Sequence, residues 1–139
     1  MHRLSFLQTA AAVTWLSIAH ITSCSEPRMV EMKKFAISAA AIRELVPAMG
    51  GAFATDRIMV EGQSIGYMYR EVPERPDDSG WRFFEGNESP AYIDDLSHTG
   101  VYAVNTIANY DRAIIPYLHT PAPCAFERIA GTDQYKRIE

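Results

Sequence analysis

The stretch that decides the fold is Ser64–Phe84, which reads SIGYMYREVPERPDDSGWRFF. Its first seven residues alternate, so that Ile65, Tyr67 and Tyr69 fall on one face of an extended chain and Gly66, Met68 and Arg70 on the other. Its last five, Gly80–Phe84, predict a short aromatic strand with Trp81 and Phe83 on a common face, and Trp81 buried as its anchor. Between the two runs, Pro73 and Pro76 sit among acidic residues and make a polar loop. Two β-rich runs joined by such a loop predict a sheet.

Working outward, Phe53–Thr55 and Arg57–Val60 read as strand, and Glu61-Gly62-Gln63 as a tight turn. Further upstream, Ser38 is placed to cap a helix over Ala39–Val46, with Ile42, Leu45 and Val46 at helical spacing. Pro47 and Gly50-Gly51 close it. Downstream, the run from Gly86 to Pro90 breaks the aromatic strand, and Ala91–Leu96 is expected to make a helical turn. Gly100–Ala108 is β-rich in composition. Asp111 is placed to cap a short helix over Arg112–Leu118, limited by Pro116, and Cys124–Ile129 and Gln134–Ile138 read as closing strands. The expected fold is α+β: a small antiparallel sheet packed with one main helix and one short helix.

The chain has 139 residues, 47% of them hydrophobic, which is enough for one domain with a core. A net charge of −4 argues against a general nucleic-acid binder, which needs a basic face. Two cysteines, Cys24 and Cys124, cannot build a disulfide scaffold or a four-thiolate zinc site. Residues 1–31 read apart from the rest. Arg3, the apolar run Leu4–Ile21 and then Thr22-Ser23-Cys24 outline a secretory signal, and Ile21–Cys24 is similar to a lipoprotein cleavage box. Gln8, Thr9, Thr14 and His20 interrupt the apolar run, so no stable membrane span is expected. An over-extended start, a lipoprotein or export signal, and an additional helix are the three readings of this segment. The folded domain is accordingly expected over residues 32–139, in the cytoplasm, with export or lipid anchoring through Cys24 as the alternative.

Catalytic signatures are missing from the sequence. None of His2, His20, His98 and His119 forms a close ligand pair, and no nucleophile elbow, phosphate loop or dinucleotide fingerprint is present. Cys124, followed by Ala125 and Phe126, reads as a buried structural thiol. No cofactor and no metal are therefore expected. Charge is more informative. Between Glu71 and Asp95, eight acids stand against two bases, a local charge of −6. This stretch is either a solubilising rim or a docking surface for a basic partner. On the second reading the binding residues are Asp77, Asp78, Trp81, Glu85 and Glu88, with Trp81 as a candidate anchor at the edge of the loop.

The blocks Thr55-Asp56-Arg57-Ile58, Gly66–Arg70, Asp78–Phe84, Asn105–Asp111, Ile114–Leu118 and Ala125–Arg128, in that order, closely resemble a bacterial domain family first catalogued as of unknown function. That family is now grouped, as immunity protein 33-like, with the immunity proteins of polymorphic toxin systems. The resemblance spans about Lys33–Arg128. It implies a small α+β domain whose partner is a cognate toxin, neutralised by non-catalytic occlusion, and it carries over no catalytic residue. The competing reading is a small ligand-binding domain or enzyme, with Asp78, Trp81, Asn105, Asn109 and Tyr110 lining a pocket. Structural hydrogen bonds within a turn would equally explain the polar residues of Asn105–Asp111.

Overall fold

A computed structural model describes residues 32–139, of which Lys33–Glu139 cluster as one unit. The signal-like and lipoprotein-like readings of residues 1–31, Cys24 included, lie outside the described residues. Six strands form a single sheet: β1 Gly51–Thr55, β2 Tyr67–Arg70, β3 Asp78–Phe84, β4 Thr99–Ala103, β5 Cys124–Arg128 and β6 Tyr135–Ile138. Their spatial order is β4-β1-β3-β2-β5-β6. The short α-helices are α1 Asp56–Met59, α2 Pro90–Asp94 and α3 Val104–Tyr110, with a 3-10 turn over Leu96–His98 and another over Arg112–Tyr117. Among the described residues, no helix is long and apolar enough to cross a membrane.

The α+β class holds, but the sheet is mixed. β1 runs parallel to β3, whereas every other neighbouring pair is antiparallel. Alternation says which residues share a face; it carries no information on which strands become neighbours or on their direction.

The expected main helix is also corrected. Ala39–Ala41 makes a single 3-10 turn, and Ile42 is already extended, with φ −70° and ψ 128°. Pro47 disfavours the helical region for Val46, and the backbone of this segment is engaged elsewhere. Asn105 Oδ1 accepts the N–H groups of Leu45 (2.7 Å) and Val46 (3.0 Å), and its Nδ2 donates to Arg43 O at 2.9 Å. Asn109 accepts the N–H of Arg43 at 2.9 Å and donates back to its carbonyl at 2.8 Å. These bonds replace those a helix would have made. Among the described residues, the longest α-helix is instead α3, which begins within the run read as β-rich. Its buried residues Val104, Ile107 and Ala108 have the i, i+3, i+4 spacing of an amphipathic helix. Arg57–Val60, read as strand, mostly forms α1, which buries Ile58 and Met59.

One face of the sheet carries the core. Ala52, Ala54, Met68, Trp81, Phe83 and Phe126 pack with Ile58, Met59, Ile107, Ala108, Ile114 and Leu118. The connection between β2 and β3 depends on two close backbone approaches. Gly80 has φ +84°, and a Cβ there would lie 2.1 Å from Glu71 O; a Cβ on Gly66 would lie 2.2 Å from Glu85 O. Gly80 also sits in an irregular step of the ladder, where the register moves from Gly51 opposite Asp78 to Phe53 opposite Arg82.

Candidate functional site

The second face of the sheet carries the candidate site. Register places six residues in one row across all six strands: Val101, Phe53, Arg82, Tyr69, Ala125 and Ile138. Val101 is 65% exposed and Phe53 40% exposed, while Tyr69, Ala125 and Ile138 are half-buried. Beside the row, Tyr67, Tyr69 and Phe84 form an aromatic cluster with ring centroids 5.8–5.9 Å apart. Tyr67, Tyr69, Ala125 and Ile138 border an open groove of about 710 Å³.

Arg82 is the fixed point of this face. Its guanidinium lies 4.5 Å from the centroid of Phe53, a cation–π contact. It donates to both carboxylate oxygens of Asp78, at 3.0 and 2.8 Å, and to Glu71 at 3.0 Å. Hydrogen bonding from Arg82 holds the Asp78 carboxyl down to about 2, aided by the N–H of Gly80. Asp78 in turn raises the pKa of Arg82. Burial pushes the Tyr69 phenol up, with the Glu71 carboxylate adding to the effect. Such a face presents aromatic rings, which protein interfaces favour, around an arginine that is itself buried at 8% exposure and holds them in place.

Asp78 gives a pH test. Its carboxyl titrates near 3.8 when unperturbed and near 2 in the fold, so the folded chain binds fewer protons between those values. The stabilisation is complete above about pH 4 and is lost as pH falls through about 2. The melting temperature of the wild type is expected to drop more steeply across that window than that of Asp78→Asn. Parallel curves would show that the pair contributes nothing.

The acids expected to form a docking surface are dispersed by the fold. Asp77 is exposed and forks onto Arg75 at 3.1 and 3.2 Å. Asp77 and Asp78 border a shallow concavity of about 310 Å³ with Phe53, Arg82 and Val101. Glu85 and Glu88 lie past the other end of β3, about 23 Å away along a seven-residue strand. There Glu85 stands 3.7 Å from Arg57. Glu88 organises the following turn, accepting from the Thr55 hydroxyl (2.6 Å) and from the N–H groups of Glu85 (2.9 Å) and Gly86 (2.8 Å). Burial alone would raise the Glu88 pKa; these donors outweigh it and hold it low.

Trp81 lies on the core side at 0% exposure, so it offers no surface at the edge of the loop. Asn105 and Asn109 spend their amides on the backbone of residues 43–46, and the Tyr110 hydroxyl bonds Ile37. They fasten the segment before β1 to α3, the structural role that the sequence left open. Cys124 is buried, and burial raises its thiol pKa.

The sequence reading passed over Phe53, Arg82, Val101, Ala125 and Ile138. Strand β3 holds a signal that could have found the face: Trp81, Phe83 and Phe84 put aromatic rings on both of its sides, although only one side can join the core.

No curated protein and no solved structure matches the sequence. A family model described as Immunity protein Imm33 domain matches residues 52–139, beginning in β1 and running through β6 to the last residue. With more than half of its length covered, including five complete strands and nearly all of the sixth, the chain belongs to the Imm33 immunity protein domain family.

Proposed function

We propose that this chain neutralises a cognate toxin by binding and occluding it without catalysis, and that the toxin seats on the open face of the sheet. Family membership is the observation that carries the reading. The face suits this role because Phe53 and Tyr69 are held in place, Phe53 against the buried Arg82 and Tyr69 on Phe84, before any partner arrives and lose little freedom on binding. Acids around it favour a basic toxin. Glu71, half-exposed beside Arg82, and Asp77 and Asp78 at the same end of the face outnumber Arg75 and Arg82 by three to two, and attraction over the ~8–10 Å screening length of physiological salt acts mainly on the association rate.

The test is growth protection. Cells expressing the cognate toxin, identified by pull-down from the native host, are expected to survive when the wild-type chain is co-expressed. Protection should be lost with Phe53→Asp combined with Tyr69→Ser, while circular dichroism and melting temperature remain close to wild type. Full protection by the folded double variant would remove this face from the account. Failure of the wild type to protect would remove the immunity reading itself.

A further inference from the structure

The two edges of the sheet are unlike. β6 carries Lys136 and Arg137, charges that discourage another strand from pairing there. β4, Thr99-Gly100-Val101-Tyr102-Ala103, has no charge and no proline. Five of the eight exposed large hydrophobic residues, among the described residues, lie on or near it. Val101 and Phe53 face each other across the β4–β1 ladder, Phe35 packs edge-on against Tyr102 at 5.8 Å, and Ile93 and Leu96 precede the strand. Leu96 is 83% exposed.

The hydrogen-bond phase of β4 is set by Val104, whose N–H donates to Gly50 O at 3.2 Å. Hydrogen-bonded and non-bonded rungs alternate in an antiparallel ladder. The rungs Ala52–Tyr102 and Ala54–Gly100 are therefore the bonded ones, and Val101 and Ala103 turn their N–H and C=O groups outward. The C=O of Thr99 points the same way, while its N–H donates to Leu96 O.

We propose that β4 pairs antiparallel with β4 of a second copy of this chain, about a two-fold axis at Val101. The outward groups are self-complementary in that register. The two Val101 residues exchange a pair of hydrogen bonds, and each Ala103 N–H donates to Thr99 O of the other copy. Along the paired segment Thr99–Ala103 no like charges meet, in contrast to what pairing through β6 would impose. The same register carries Leu96 of the second copy past Ala103, toward a groove of about 610 Å³ lined by Val46, Met49, Tyr102 and Ala103. The contact is isologous, so this exposed leucine and this groove meet twice. The result is one continuous sheet of twelve strands, and the open faces of the two copies join at Val101.

Sedimentation velocity over a range of concentrations tests this. The wild type is expected to reach twice the monomer mass at tens of micromolar. Val101→Lys and Val101→Glu, each placing like charges opposite one another, should weaken self-association at least tenfold. The side chain lies on the exposed face, so both variants should keep the wild-type circular dichroism. Mixing the two in equal amounts should restore the dimer. A wild type that stays monomeric, or a Val101→Lys chain that still dimerises, overturns the proposal, as does a mixture that remains monomeric.

Discussion

Trp81→Ala is expected to cost about 3–5 kcal/mol of folding stability, the range for removing a fully packed large aromatic. The indole has 0% exposure and stacks on Phe83 with centroids 5.7 Å apart, while Phe126 lies 6.4 Å away. Its Nε1–H donates to Leu118 O at 3.1 Å, tying β3 to the residue that follows the 3-10 turn Arg112–Tyr117. The Arg70 guanidinium lies 5.7 Å from the ring. Truncation therefore opens a cavity and also leaves a carbonyl without its donor. Domains of this size hold only about 5–15 kcal/mol in total, so the variant should unfold at a much lower urea concentration. A loss below about 1 kcal/mol would contradict the placement of Trp81 in the core.

Arg128→Leu is expected to have an effect of similar size, for an electrostatic reason. Arg128 closes the far end of the sheet by donating to Ile65 O (3.0 Å), Thr132 O (2.9 Å), the Tyr135 hydroxyl (2.9 Å) and the Asp111 carboxylate. The Arg128 and Asp111 side chains are only 14% and 11% exposed. Removing the guanidinium strands a carboxylate that is largely out of water, which costs about 3–5 kcal/mol in comparable pairs. Arg128 also reaches Asp133, but that carboxylate is 93% exposed, and Asp133→Ala should cost under about 1 kcal/mol. Arg128→Lys should not rescue, because an ammonium cannot reproduce the fork that serves these acceptors together. Chemical denaturation of the three variants distinguishes the buried pair from the exposed one; equal losses for Arg128→Leu and Asp133→Ala would refute the argument.

Elements governed by local chemistry could be read from the sequence. The alternation of Tyr67–Arg70, the aromatic strand ending at Phe84 and the closing strands at Cys124 and Tyr135 all occur near their expected positions. So does the Asp111 cap, which accepts the N–H of Ala113 at 3.1 Å before a turn containing Pro116. Elements decided by distant partners could not. Ala39–Val46 has helical composition, yet Asn105 and Asn109, some 60 residues away in the chain, hold its backbone extended. The parallel pairing of β1 with β3 likewise has no local signature.

The candidate site was half legible for the same reason. The excess of acid between Glu71 and Asp95 is plain in the sequence, but local composition does not reveal that Arg82 takes Asp78 and Glu71, or that Arg57 stands against Glu85. Nor does it reveal the row from Val101 to Ile138, which exists only once strands from five separate parts of the chain have paired and β6 has closed the sheet.

The central claim is that the chain disarms its toxin by occupying it, and a titration tests this most directly. Purified chain is added in steps to a fixed amount of the cognate toxin, and residual toxin activity is measured after a long and a short incubation. Occlusion predicts a linear loss of activity that ends at a fixed stoichiometric equivalence point, the same at both times. Complete loss at a small fraction of that amount, deepening with time, would mean that the chain acts catalytically and would contradict the account.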